Sequence, residues 1–278
     1  MGSHRHGMAA VALALCLGVL GACGGGSDQG SGPDRSVQPP RSTQTGGTPD
    51  GRGPTGGSNA LEGKVIVIDP GHNGGNARHP GEINRLVFVG NGRKPCDTTG
   101  TSTNDGYSEH AFTWDVSKRL AKLLRERGAE VKLTRENDVG VGPCITERAG
   151  IANRAKADAA ISIHGDGAPA SGHGFHVIEP IGVPGFNTRI VGPSRTLGTA
   201  IRDAFHEGTG LPFSTYRGTR GIDRRNDLGG LNLSKVPKVF IECGNMRNSS
   251  DAAKMRSAAF RQRMAESLAN GFAAYLAR

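Results

Sequence analysis

Aromatic residues are scarce in this chain: they make up 5% of its 278 residues, with a single tryptophan. The interleaved basic and aromatic motifs of nucleic-acid-binding modules are absent, so the formal net charge of +9 does not indicate binding to DNA or RNA. The charge favours non-specific attraction to anionic surfaces instead. The cysteines include no Cys-x-x-Cys pair, which excludes a structural zinc knuckle. No internal repeat is visible.

Long hydrophobic runs are also lacking. The apolar run at residues 8–20 follows a basic start and is too short for a comfortable membrane span. It ends in Leu-Gly-Ala-Cys, with Cys23 last, so we predict a secretory signal peptide over residues 1–22. This ending is similar to the bacterial lipobox, in which the cysteine is lipidated; the alternative is an ordinary signal peptide with an incidental cysteine. A lipidated Cys23 would hold the protein on the outer face of a membrane.

Residues 23–60 are almost wholly small or polar, chiefly Gly, Ser, Pro, Thr, Asp, Arg and Gln. Such a segment buries too little apolar surface to offset the entropy lost on ordering, so we predict a disordered tether. The remaining stretch, residues 61–278, is long enough for one domain with a full hydrophobic core. We therefore expect all chemistry to lie in that stretch.

The apolar residues in 61–278 follow strand and helix periods in alternation. We expect a long irregular stretch between the first strand and about residue 105. We predict strands at about 64–69, 130–134, 159–164, 174–179 and 238–242, and helices at about 108–127, 145–156, 194–207 and 251–276. This alternation predicts an α/β fold with helices on both faces of a sheet. The β-rich segments 174–179 and 215–233 indicate that the sheet is mixed.

Two cysteines of the exported stretch lie in loops rich in glycine and proline. A disulfide between Cys96 and Cys144 suits an exported protein, and two free thiols are the alternative. In the chain-entropy treatment, a bridge over a loop of this length stabilises by roughly 4 kcal/mol. Cys243 ends a predicted core strand and is interpreted as a small buried hydrophobe.

Two histidines follow predicted strands in the same way. A run of β-branched residues, Val-Ile-Val-Ile, ends at Asp69-Pro70-Gly71 and is followed by His72. A second apolar strand, Ile-Ser-Ile, leads directly into His164. Ligands of open α/β sheets bind at the carboxyl ends of strands, so these two side chains can converge. A catalytic zinc needs three protein ligands and one open position, which leaves one ligand to find.

The third ligand is open on spacing alone. Glu109 stands in the first turn of a predicted helix, where an acidic side chain is also explained by the helix dipole. His110, His173 and His176 are the alternatives. Glu242 ends the strand at 238–242, where a carboxylate beside a metal centre can act as general base; pairing with a basic neighbour such as Arg247 is the alternative.

Several motifs, taken together and in order, resemble a known family. They are VIDPGH at 67–72, Glu109, Leu133-Thr134-Arg135 with Asp138, Glu147-Arg148, Ala152-Asn153, Ala157-Asp158, ISIH at 161–164 and PKVFIE at 237–242. Their order and spacing are similar to those of the zinc-dependent N-acetylmuramoyl-L-alanine amidases of the bacterial cell wall. The resemblance covers the chain from about Lys64 onward.

The resemblance implies a phosphorylase/hydrolase-like three-layer sandwich with one Zn²⁺ per chain. Carried over residue by residue, it implies His72, Glu109 and His164 as zinc ligands and Glu242 as the catalytic glutamate. Asp69 would orient a ligand from behind, while Arg148 and Asn153 would support the site. Actinobacterial members also pair a cysteine like Cys96 with one like Cys144.

The implied activity is hydrolysis of the amide bond between N-acetylmuramic acid and the L-alanine of the stem peptide. Two other activities stay open: a zinc peptidase acting within the stem peptide, and a lipoprotein that binds peptidoglycan without cleaving it. The expected partners are peptidoglycan or its fragments and, through Cys23, a membrane. We expect an exported, lipid-anchored monomer on the outer face of the cytoplasmic membrane that binds no nucleic acid.

Overall fold

The computed structural model describes residues 59–277. The predicted signal peptide and Cys23 lie outside the described residues, as does the predicted tether except for its last two residues. No helix within residues 59–277 has the length and apolarity needed to cross a membrane. The domain predicted from residue 61 onward contains all the elements that follow.

The elements run in this order: β1 (Val65–Pro70), α1 (Pro80–Ile83), β2 (Leu86–Phe88), β3 (Arg93–Pro95), α2 (Glu109–Glu126), β4 (Glu130–Leu133), α3 (Ile145–Arg154), β5 (Ala159–Asp166), β6 (His176–Pro180), α4 (Val191–Thr209), β7 (Ile222–Arg225), α5 (Gly229–Asn232), β8 (Lys238–Asn245), α6 (Ser249–Arg256) and α7 (Ala258–Leu276). Short 3-10 turns lie at Asn76–Arg78 and Thr188–Ile190. Strands and helices alternate through most of the chain, as the sequence predicts.

Six strands form one sheet in the order β4-β1-β5-β8-β6-β7. The first four are parallel to one another, β6 runs antiparallel to β8, and β7 runs parallel to β6. The prediction of a mixed sheet in an α/β fold is confirmed. β2 and β3 form a separate antiparallel hairpin.

The period of two along each central strand divides the core between the two faces of the sheet. One face carries Ile66 and Ile68 of β1 with Ile161 and Ile163 of β5, and it packs against α2, α4 and α7. The other face carries the smaller Val67 and packs against α3 and α5. Each fully buried isoleucine contributes roughly 1.5–3 kcal/mol, so the α2/α4/α7 layer holds most of the apolar stabilisation.

Several predicted segments differ from the structure, among them the segment 215–233, which contains the helix α5 as well as β7. The stretch expected to be irregular contains α1 and the β2–β3 hairpin. The helix predicted at 251–276 is two helices, because Ser257 is extended (ψ 118°) and its side chain accepts a hydrogen bond from the amide of Phe260. β5 and β8 continue past His164 and Glu242, because the two strands stay paired as far as Asp166 and Asn245 through a register shift.

Cys96 and Cys144 form the predicted disulfide, so the alternative of two free thiols is wrong. The bridge joins the residue after β3 to the residue that precedes α3. Cys243 is a free, fully buried thiol, as interpreted from the sequence. The disulfide therefore links the β2–β3 hairpin to α3, the helix that packs on the face of the sheet that carries Val67.

Candidate metal centre and active site

The turn after β1 brings two histidines together. Gly71 follows the strand, and a Cβ at this position would lie 2.3 Å from the His164 ring, so only glycine permits the approach. His72 then adopts a left-handed backbone (φ 59°), a conformation that is unfavourable for a residue with a side chain and common at functional sites. Arg148 donates to the His72 carbonyl at 3.0 Å and so holds this conformation.

One donor atom from each of His72, Glu109 and His164 lies within 4.8 Å of the others. Glu109 Oε1 is 3.1 Å from His72 Nε2 and 3.0 Å from His164 Nδ1. Two imidazole nitrogens and one carboxylate oxygen are a donor set that suits Zn²⁺ with one position left open. The three predicted ligands therefore form one cluster, and their chemistry fits the metal.

Backbone groups orient two of these side chains. The ring nitrogen Nδ1 of His72 donates to the carbonyl of Thr98 at 3.0 Å, so Nε2 is the nitrogen that faces the cluster and could bind a cation once its proton is displaced. Glu109 Oε2 accepts from the amide of Thr101 at 2.9 Å, and Oε1 accepts from the amide of Gly165 at 3.1 Å. Each orientation is set before any ligand binds.

Ring contacts position the third side chain, His164. His164 stacks on Phe240 of β8 with centroids 5.0 Å apart and planes at 13°, and its edge meets His72 at 5.0 Å. Gly100, with φ 76°, lies so close that a Cβ would be 2.8 Å from both Glu109 and His72. The cluster is therefore packed against its walls as well as hydrogen-bonded to them.

The alternative third ligands lie elsewhere. His110 Nδ1 pairs with Asp138 at 2.8 Å, and the backbone of His173 pairs with that of Thr215. His176 lies next to Glu242 across the β6–β8 pair and is not part of the cluster. Of the candidates considered, Glu109 is the residue that the structure brings to the two histidines.

His72 and Glu109 shift each other's pKa values. Burial lowers the pKa of His72, but the charges of Glu109 and Asp97 outweigh it and raise that pKa to about 10. Burial raises the pKa of Glu109, but His72 and His164 lower it below its usual range. The carboxylate is thus ionised at neutral pH, and a cation at this position would compete with a proton on His72.

Glu242 lies beside the cluster, opposite His164 in the β5–β8 register. Its Oε2 is buried and has no hydrogen-bond partner among the described residues. Burial, followed by the charges of Glu109 and Asp166, raises the pKa of Glu242 well above its usual range. The alternative partner, Arg247, donates to the carbonyl of Ser102 at 3.5 Å instead. A carboxyl group with a raised pKa and a free oxygen can both take up and release a proton.

Asp69 is buried in an ionic cluster beneath the site. Its carboxylate accepts from Thr134 at 2.7 Å, from Arg148 at 3.0 Å and from Lys238 at 3.0 Å, and it also accepts from Ser162. Burial raises the pKa of Asp69, but Lys238 and Arg148 dominate and lower it well below its usual range. Asp69 therefore stays ionised and contacts two buried cations.

The same cluster reaches His72 through Arg148. Besides Asp69, Arg148 donates to Asp97 at 3.0 Å, and an Asp97 oxygen lies 3.6 Å from His72 Nδ1. Asp69 therefore reaches His72, a predicted ligand, through Arg148 and Asp97 rather than by a direct bond. Asn153 holds the segment before β8: its amide donates to Leu233 and its carbonyl accepts from the amide of Lys235.

Sequence reasoning missed Asp97 and Lys238. Asp97 follows the disulfide cysteine Cys96 in a stretch without periodicity, so no pattern marked it. Lys238 is fully buried at the start of an apolar strand. A lysine inside such a run requires a buried acidic partner, and that requirement was a usable signal for its pairing with Asp69.

His72, Glu109, His164 and Glu242 line a cleft of about 440 Å³. Its lining also includes Lys94 of β3 and Arg225 of β7, which both pair with Asp227 at 2.8–3.0 Å. The cleft thus has the metal cluster and Glu242 in one part and a charged, partly exposed wall in another.

Comparison with known proteins decides the family. The family profile described as N-acetylmuramoyl-L-alanine amidase matches residues 66–274, which include every predicted site residue of the cleft. The chain belongs to this family. The resemblance described from the sequence motifs is therefore confirmed.

Individual relatives agree. The chain is 44% identical over 218 residues to the N-acetylmuramoyl-L-alanine amidase Rv3717 of Mycobacterium tuberculosis, covering 78% of this chain and 88% of that protein. It is similar to the crystal structure of the amidase Ami1 from Mycobacterium smegmatis, with TM-score 0.74, 42% identity, and coverage of 79% of this chain and 99% of that one. Ami1 from Mycobacterium abscessus gives TM-score 0.73 at 42% identity, covering 78% of this chain and 100% of that one.

Proposed function

We propose that the protein is a zinc-dependent N-acetylmuramoyl-L-alanine amidase that cleaves the bond between N-acetylmuramic acid and the L-alanine of the stem peptide. Membership of the amidase family supports the reaction class. The convergence of His72, Glu109 and His164 beside the unpartnered oxygen of Glu242 is the observation that carries the proposal.

His72, Glu109 and His164 would hold Zn²⁺ in the cleft that they line. A bound Zn²⁺ supplies Lewis acidity, which polarises the scissile carbonyl and lowers the pKa of a water ligand toward about 7. His72 and Glu109 contribute preorganisation, because Thr98, Thr101 and the backbone of Gly165 already orient them. Little reorganisation is then needed when the substrate arrives.

Glu242 moves the proton. It accepts a proton from the attacking water at its buried carboxylate, and it then donates that proton to the departing nitrogen of L-alanine. Its raised pKa in the buried site suits the second step, and the charge of a bound cation would favour the ionised form needed for the first. One carboxyl group can thus serve as base and then as acid.

Asp69 would act on the ligand set from behind. Its ion pair with Arg148 holds the guanidinium that contacts Asp97 and the carbonyl of His72. Residues that orient ligands in this way typically change metal affinity by about 10–100-fold when they are replaced. Its role in this proposal is orientation rather than ligation.

Mass analysis of digested peptidoglycan tests the reaction. An amidase releases free stem peptides that begin with an intact L-alanine amine. A peptidase acting within the stem leaves L-alanine on the muramic acid, and a binding protein releases nothing. Either of these two results would contradict the proposal.

We also propose that residues 1–22 direct export and that a lipidated Cys23 and the segment 23–60 tether a monomeric enzyme to the outer face of the cytoplasmic membrane. The lipobox-like sequence supports this. Incorporation of labelled palmitate that disappears in Cys23→Ser is the expected result. Equal labelling of the two chains would contradict it.

A further inference from the structure

An exposed apolar surface lies beside the cleft. Phe88 is 50% exposed, Phe186 is 39% exposed, and their ring centroids are 5.7 Å apart. Leu86, two residues before Phe88 and on the same face of the hairpin, is 56% exposed and opposes Pro95. Exposed apolar side chains are ordinary one at a time, whereas adjacent ones mark binding surfaces. We call Leu86, Phe88, Pro95 and Phe186 the apolar strip.

Two buried asparagines hold both parts of the strip on the α5 segment. Asn232 Nδ2 donates to the carbonyls of Val89 at 2.9 Å and Asn226 at 2.7 Å, which joins the hairpin to that segment. Asn187, in the loop that carries Phe186, donates to the carbonyl of Leu231 at 3.2 Å. The strip is therefore held in place before it binds anything, and a ligand meets little ordering cost.

The strip continues the lining of the cleft. Pro95 lines the cleft, as do Leu228 and Gly229 from the α5 segment that both asparagines hold. Leu86 lies across the hairpin from Pro95, and Phe88 follows on the same face. The surface thus begins at the cleft and extends outward along its wall.

We propose that the apolar strip binds the glycan strand of peptidoglycan next to the sugar whose amide occupies the cleft. This inference rests on the proposed function. In a polymer, the neighbouring sugars must leave the cleft along its wall, and the apolar C–H face of a pyranose ring packs on the face of an aromatic ring. Arg93, exposed and opposite Phe88, adds a positive charge that suits an anionic polymer. A lipid bilayer on this surface would cover the cleft instead of supplying it.

The test compares the full chain with the double variant Phe88→Ala/Phe186→Ala, both loaded with Zn²⁺. Co-sedimentation with purified sacculi and release of stem peptides from them should weaken about 10- to 100-fold, because two aromatic contacts are lost. Hydrolysis of a soluble N-acetylmuramoyl-dipeptide should stay unchanged. A proposed function that is wrong would show itself separately, since the unaltered chain would then fail on the soluble fragment.

Two controls guard against misfolding. Val139→Ala removes an apolar side chain that is 73% exposed outside the strip, and it should change neither assay. Phe88→Tyr/Phe186→Tyr keeps both rings and should retain sacculus binding. Unchanged binding of the alanine variant to sacculi would overturn the inference. So would a loss seen with anionic phospholipid vesicles and not with sacculi, or a loss of self-association without a loss of sacculus binding.

Discussion

The two halves of the candidate site differ in how completely their polar atoms are paired. On the metal side, the oxygens of Glu109 and the outer nitrogen of His72 have hydrogen-bond partners, and one neighbouring buried atom, Asn76 Oδ1, has none among the described residues. On the base side, four residues carry buried polar atoms without a partner among residues 59–277: Glu242 Oε2, His176 Nδ1, Tyr216 Oη and Asp223 Oδ2. The base-side atoms are close together, because β6 pairs with both β8 and β7 and the ring of Tyr216 meets that of His176 at 6.0 Å.

This difference matches the two tasks. A ligand set gains from being rigid, because its geometry must fit one cation. A proton-transferring group needs unfilled hydrogen-bonding capacity, because its partners change during the reaction. The cost of burying unpaired polar atoms, about 1–3 kcal/mol each, falls on the half of the site that must respond to substrate.

Glu242→Gln should give the largest effect, because it should reduce turnover without reducing metal binding. The amide cannot take up the proton, so turnover should fall about 10²- to 10⁴-fold while zinc content stays near one per chain. Release of stem peptides and metal analysis of the purified protein measure the two effects. His72→Ala is the matched control and should lose both metal and activity; substantial turnover by Glu242→Gln would remove Glu242 from its role.

His176, on the base side, should make the free energy of unfolding depend on pH. Burial lowers the pKa of His176 to about 4 from 6.5, so between these values the unfolded chain binds a proton that the folded chain does not. The free energy of unfolding should therefore decrease as pH falls from 6.5 to about 4, by up to roughly 3 kcal/mol from this residue. Urea unfolding of the chelator-treated protein and of His176→Gln should show a shallower pH slope in the variant. Parallel slopes would mean that His176 titrates normally.

Asp97→Asn should weaken the metal side. The amide keeps its volume but loses the charge that faces His72 and Arg148. Zinc affinity, measured by competition with a chromogenic chelator, should decrease about 10- to 100-fold. Saturating zinc should restore most of the turnover, whereas a turnover defect that persists at saturation would contradict a role confined to ligand orientation.

Tyr216→Phe should have the smallest effect. Among the described residues its hydroxyl has no hydrogen-bond partner, so its removal should change the free energy of unfolding by less than about 1 kcal/mol. Thr134→Val is the matched control: it removes a hydroxyl that donates to Asp69 at 2.7 Å and should cost about 1 kcal/mol or more. Urea unfolding measures both, and equal losses would show that the two halves are paired to the same degree.

The sequence anticipated the parts of the molecule that are periodic or motif-bound. The runs before His72, His164 and Glu242 predicted strands whose ends converge, and the structure brings their side chains together. Glu109 was distinguished from His110 only by family resemblance. Spacing along a helix does not tell which of two neighbouring side chains points to the sheet.

The rest depended on tertiary contacts. The β2–β3 hairpin and Asp97 lie in a stretch with no regular period, and the disulfide and Arg148 order them. The unpaired atoms around His176 arise from the register of β6 with β8, which no local pattern encodes. A side chain whose role depends on contact with another residue, as Asp97 depends on Arg148, cannot be predicted from sequence until the position of that residue is known.

Because the disulfide lies next to the metal side, the contacts there depend on whether the two cysteines are oxidised. Cys96 precedes Asp97, and Cys144 lies one turn before Arg148, so the bridge closes a ring around the contacts that orient His72. Thiols stay reduced in the cytoplasm and pair after export. With this bridge, the contacts that support the candidate metal site would be complete only after export, on the side of the membrane where peptidoglycan lies.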